Sequence, residues 1–126
     1  MADSTLSLAL RIYSSTLDAD AISRCLSIKP SIQRNELSRD GASTLVWHYD
    51  VISRSEQSVS KGLSQFCDRL SYLRDELRCL SKDAKIYVWG AVFADRPETT
   101  VEISNATLLA VAELSLNLCI SVYQTA

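Results

Sequence analysis

"TLVWHYDVI", residues 44–52, alternates without a break: Leu45, Trp47, Tyr49 and Val51 fall on one face, Val46, His48, Asp50 and Ile52 on the other. A period of two marks a β-strand. The period then changes. Val59, Leu63, Phe66, Leu70, Leu73, Leu77 and Leu80 recur at steps of four and three, the apolar stripe of an amphipathic helix. Ser53 and Glu56 have capping-box spacing, so the helix is expected to start there and run about 24 residues, or roughly 36 Å. Gly62 inside it costs up to about 1 kcal/mol relative to alanine, with no reason visible in the sequence.

The same strand-to-helix change recurs on both sides. Residues 5–13, TLSLALRIY, place Leu6, Leu8, Leu10 and Ile12 on one face and Tyr13 on the other. In the following LDADAISRCL, Asp18 and Asp20 suit the positive end of a helix, and Pro30 forces it to stop. A short edge strand is expected near Ile32–Glu36, before the turn signal Asp40-Gly41. Downstream, KIYVWGAVFA (85–94) is apolar on both faces and should lie centrally in a sheet, with Gly90 marking a bulge or a close approach. A turn is expected at Asp95–Glu98. Ser104 then caps a helix whose Leu108, Val111, Ala112 and Leu116 face inward, and NLCISVYQ (117–124) closes the chain as a strand.

The order β-α-(β)-β-α-β-α-β predicts one α+β domain over residues 1–126, a two-layer sandwich of ferredoxin-like type with a mostly antiparallel or mixed sheet covered by two to three helices. A chain of 126 residues with 47% apolar and 22% charged residues can bury a core unaided. A net charge of −2 gives no basic footprint for a phosphate backbone, so no nucleic-acid partner is expected. MADSTLSLAL lacks a positive n-region and no apolar run is long enough to span a bilayer, which predicts a cytoplasmic protein without a membrane partner.

Here the residues carry a resemblance. Leu10-x-Ile12, LDADAI (17–22), Leu26-x-Ile28-x-Pro30, Trp47 on its strand and the ending Leu108-Leu109, Ile120 and Tyr123 resemble a bacterial family without assigned activity, the domain of unknown function numbered forty-two seventy-nine. The likeness covers nearly the whole chain and rests on core and turn residues. It implies a small bacterial α+β domain with no catalytic residues to carry over. The family often has a Gly-rich turn after the Pro-containing segment, where RNELSRDG holds only Gly41.

The chemistry-bearing residues are sparse. Three glycines exclude a Walker loop or a dinucleotide fingerprint. Cys25, Cys67, Cys79 and Cys119 show no CxxC pair; with one histidine they make no zinc set, so neither metal nor cofactor is expected. Cys67 and Cys79, about 18 Å apart on one helix, cannot bridge each other. All four are expected as buried, reduced thiols. Asp95, Glu98 and Glu102 read as a solvated loop rather than a cation site. Arg69, Arg74, Asp75, Glu76 and Arg78 read as a helix face laced with salt bridges.

His48 and Asp50 share a strand face about 7 Å apart, and such a couple can orient a general base. Without a nucleophile elbow the pair predicts an outward polar face instead, and no catalytic residue is assigned. The functional expectation is a non-enzymatic protein-binding module, of the immunity or inhibitor kind that neutralises a toxin or effector, as monomer or homodimer. Its binding surface is expected at Tyr13, His48 and Asp50. The alternative is a small-molecule-sensing or regulatory domain, with Trp47, Trp89 and Gly90 lining an apolar pocket; a cysteine- or histidine-dependent hydrolase comes third.

Overall fold

The computed structural model describes residues 4–37, 39–95 and 100–124. Five strands form one mixed sheet: β1 (Ser4–Ser14), β2 (Ile32–Leu37), β3 (Ser43–Ser55), β4 (Lys85–Ala94) and β5 (Asn117–Gln124), in the spatial order β2-β3-β1-β4-β5. β1 runs antiparallel to both its neighbours, β3 and β4, and β2 runs antiparallel to β3. These four strands and their helices make the ferredoxin-like βαββαβ unit. A further helix returns the chain to β5, which is parallel to β4. The two-layer α+β arrangement therefore stands as the sequence implies it, with β5 as an addition on one edge.

The helices are α1 (Ala19–Leu26), α2 (Val59–Leu70), α3 (Arg74–Leu80) and α4 (Asn105–Glu113). Asp18 caps α1 by accepting from the Ala21 N–H, and Ser104 caps α4 through Thr107 N–H. Between sheet and helices lies one core: Leu6, Leu8, Leu10 and Ile12 of β1 meet Leu63, Phe66, Leu70, Leu73 and Leu77, with Trp47 fully buried among them. Trp47 Nε1 donates to Ser23 Oγ at 3.1 Å, which satisfies the one polar atom of that buried ring.

Several expectations change. The long helix begins at Val59, behind the N-cap Ser58 whose hydroxyl accepts from Lys61 N–H, because β3 continues through Ser53 to Ser55. It is also not continuous: a 3-10 turn at Ser71–Leu73 separates α2 from α3, although every residue of the seven-membered stripe is buried. Gly62 has its reason, since a Cβ there would overlap Leu6 Cδ2; the glycine lets α2 lie directly on β1. Gly90 likewise permits close approach, with a Cβ meeting Leu8 Cδ2 at 3.0 Å and Ile120 Cγ1 at 3.2 Å. In α4, Thr107 and Val111 turn inward while Leu108 and Ala112 are exposed. The Thr107 hydroxyl is tied to Ser60 Oγ and Ser104 Oγ, which allows a polar side chain to be buried there.

The thiols also separate: Cys67 is buried, Cys25 and Cys79 are exposed, and Cys119 is intermediate. Among the described residues the ion pair is Arg34–Glu36, and His48 Nε2 meets Asp50 Oδ1 as a hydrogen bond, so the outer face of α2 and α3 carries no ion pair. Arg69 instead donates to the Val51 carbonyl at 2.8 Å. The turn expected at Asp95–Glu98 lies, from Arg96 onward, outside the described residues, and Glu98 of the acidic group with it. No helix of the described residues is long and apolar enough to cross a membrane.

Candidate functional site

All the helices pack on one side of the sheet. The other side is open, and β1, β3 and β4 aim there every residue that alternates with the core. Cross-strand register places Arg11 between His48 on β3 and Tyr87 on β4, while Tyr13 lies opposite Val46 and Lys85, and Ala9 opposite Asp50 and Trp89. Arg11 Nε donates to His48 Nδ1 at 3.0 Å, and its Nη1 donates to the Tyr13 hydroxyl at 3.3 Å. The guanidinium carbon sits 4.2 Å from the centroid of the Trp89 ring, a cation–π contact. His48 Nε2 meets Asp50 Oδ1 at 3.0 Å. Four side chains from three strands thus form one chain of contacts, Asp50–His48–Arg11–Trp89.

Aromatic rings surround it. Tyr13 and Tyr87 meet edge to face at 5.7 Å, and Tyr87 and Trp89 at 6.2 Å. Tyr13, Tyr87 and Trp89 also wall a groove of about 740 Å³ that Lys82, Lys85, Thr44, Ser81 and Cys119 border. A second cluster lies further along the same face: Arg54 stands 3.9 Å over the Phe93 ring, and Phe93 stacks on Tyr123 at 5.4 Å. Two register shifts in the β1–β3 ladder prepare this cluster. Each is a bulge that inserts one residue into β3, and Arg54 takes φ +45° in the second. The same slips return Ile52 to the core instead of the His48 face.

Of the expected binding residues, Tyr13, His48 and Asp50 do come together, linked through Arg11. The expected pocket does not form: Trp47 and Gly90 face the helices and are buried, whereas Trp89 faces the open side. Alternation alone explains this, because Trp89 pairs with Ala9 and Trp47 with Ile12, neighbours in β1 an odd number of residues apart. Sequence reasoning missed Arg11, Tyr87 and the Arg54–Phe93–Tyr123 cluster. A signal existed for the first two, since Arg11 and Tyr87 share strand parity with Tyr13 and Trp89.

Both ring nitrogens of His48 are engaged, and Cys119 on β5 lies three strand spacings, about 14 Å, from β3. Cys25, Cys67 and Cys79 belong to the helical layer on the other side, so no described cysteine couples to the histidine. Desolvation by burial pushes the Cys67 thiol up to about 11, with the Asp68 charge adding to it. No group of three or more His, Cys, Asp or Glu side chains among the described residues converges as a metal site.

With this geometry in hand, the chain belongs to the family described as domain of unknown function (DUF4279), whose model matches residues 4–125. No curated protein and no solved structure matches it.

Proposed function

We propose that this member of a family of unknown function is a non-enzymatic module of the bacterial cytoplasm that docks a protein partner on the open face of its sheet. The observation that carries the reading is Arg11, held over Trp89 between Tyr13 and His48, on the side that no helix of the described residues covers. Arg, Trp and Tyr dominate the energetics of protein interfaces, above all when they are already fixed in place. The face is also cationic relative to the chain: Arg11, Arg54 and Lys85 stand there outside any ion pair among the described residues, while the whole sequence carries −2. A partner with an acidic patch fits it. A toxin or effector neutralised by this chain is the partner class, by analogy of size and fold.

Bases of a nucleic acid stack on free ring faces. Arg11 already occupies a face of Trp89, and Arg54 and Tyr123 both lie on Phe93. That favours a protein over a single strand. The groove favours one second reading, a small anionic ligand bound between Tyr13, Trp89 and Lys85. Quenching of Trp89 fluorescence by metabolite pools, with no protein captured, would select it.

The test is affinity capture from the native lysate with four baits. The wild-type chain is expected to retain one protein in stoichiometric amount, Arg11→Glu and Trp89→Ala to lose it, and Arg74→Glu on the helical layer to keep it. Capture indifferent to the first two variants would refute the assignment.

A further inference from the structure

The two edges of the sheet are built differently. β2, with all six residues exposed, carries Arg34 and Glu36 paired at 2.9 Å, the charges by which edge strands discourage pairing. β5, the opposite edge, runs NLCISVYQ without a charged residue or a proline. Val122 and Tyr123 are half exposed on it. Eight unprotected residues, roughly 26 Å of open ladder, are a template for another strand.

The helix above that edge has the same character. Thr107 faces α2 through its bond to Ser60, and counting 100° per residue from it puts Leu108, Leu109 and Ala112 on the flank away from α2. Leu108 is 44% exposed and Leu109 60%. Apolar residues encircle α4, a pattern proper to a helix that is covered all round, yet among the described residues only one flank is covered.

We propose that β5 and α4 form a two-fold interface with a second copy of this chain. A two-fold axis normal to the sheet pairs β5 antiparallel with itself, keeps both helical layers on one side and sets α4 beside its counterpart. A register centred on Ser121 brings Ile120 against Val122 of the second copy and Cys119 against Tyr123, so each side chain meets one on its own face. Self-pairing of an uncharged strand brings no like charges together, which makes the surface complementary to itself. A footprint of roughly 26 by 20 Å, about 500 Å² per copy, reaches the 1,000 Å² or so that a specific interface needs. The product is a ten-stranded sheet whose two open faces, with their Arg11 clusters, lie on the same side and remain free for partners.

Light scattering coupled to size exclusion tests this on the intact chain from low to high micromolar concentration. The wild type is expected at twice the 14.0 kDa of one chain. Val122→Lys and Leu109→Lys, both at exposed positions, are expected to return it to a single chain's mass while keeping a cooperative thermal melt that no longer depends on protein concentration; Ile32→Lys on β2 leaves the dimer intact. A wild type that stays at one chain's mass throughout overturns the proposal. So does a dimer that survives both lysines but is lost with Ile32→Lys.

Discussion

Arg11 and His48 are joined across neighbouring strands by a hydrogen bond in which Nε donates to Nδ1 at 3.0 Å. Because that lone pair is in use, the neutral imidazole carries its proton on Nε2, the atom that meets Asp50 Oδ1. The histidine is a spacer that holds the arginine over Trp89, and the carboxylate orients the histidine. The pair that resembles half of a catalytic triad in the sequence is, in the fold, the scaffold of an arginine.

This arrangement predicts coupling. His48→Ala removes the acceptor of a partly buried guanidinium N–H and is expected to lower stability by about 1–3 kcal/mol. Asp50→Asn, at an exposed position, should lower it by less than about 1 kcal/mol. In a double-mutant cycle by urea unfolding, Arg11→Ala and His48→Ala should couple by about 1 kcal/mol, whereas Arg11→Ala and Arg74→Ala should be additive.

Gly62→Ala sets two effects against each other. Helix propensity favours alanine by about 1 kcal/mol, but the new methyl must displace Leu6 in a packed core, which costs about 1–3 kcal/mol. Packing should win, giving a net loss of about 1 kcal/mol. In a Leu6→Ala background the same substitution should become neutral or stabilising, as measured by denaturant midpoint.

Arg54 combines a left-handed backbone at φ +45° with a side chain over Phe93. Arg54→Gly relieves about 1 kcal/mol of backbone strain while losing the ring contact; Arg54→Ala loses the contact and keeps the strain. Glycine should therefore be the more stable variant by about 1 kcal/mol in thermal melts.

The thiols should divide by burial. Cys25 and Cys79 are expected to react with a maleimide in the native protein and Cys67 only on unfolding. Cys25 should react slowly for an exposed thiol, since desolvation, then the charges of Cys79 and Glu76, push its pKa upward. For Cys67 the folded value is raised from 9.0 to about 11, so the folded state holds the proton more tightly than the unfolded one. The stability it contributes is complete below pH 9 and is lost as pH rises towards about 11. Cys67→Ala should flatten that alkaline decline.

What the sequence disclosed, and what it hid, follows from the range of the interactions. Strand alternation in TLSLALRIY and the stripe from Val59 to Leu80 are local, and the structure keeps both. The helix start was misplaced because Ser53-x-x-Glu56 imitates a cap, while the bulges that carry β3 through Ser55 depend on pairing with β1. Thr107 looks polar and outward until Ser60, distant in sequence, pairs with its hydroxyl. Trp47 and Trp89 look like partners until register puts them on opposite faces. Tyr13, His48 and Asp50 are legible as sharing one strand face, but His48 is buried on it, at 8% exposure, under the arginine that unites the three, and that arginine needs three strands in register.

The most direct measurement is hydroxyl-radical footprinting of the chain alone and bound to its captured partner. Tyr13, Tyr87 and Trp89 are predicted to lose reactivity in the complex, while Tyr72, 68% exposed on the helical side, keeps its own. Protection of Tyr72 with the three open-face rings unchanged would contradict the account.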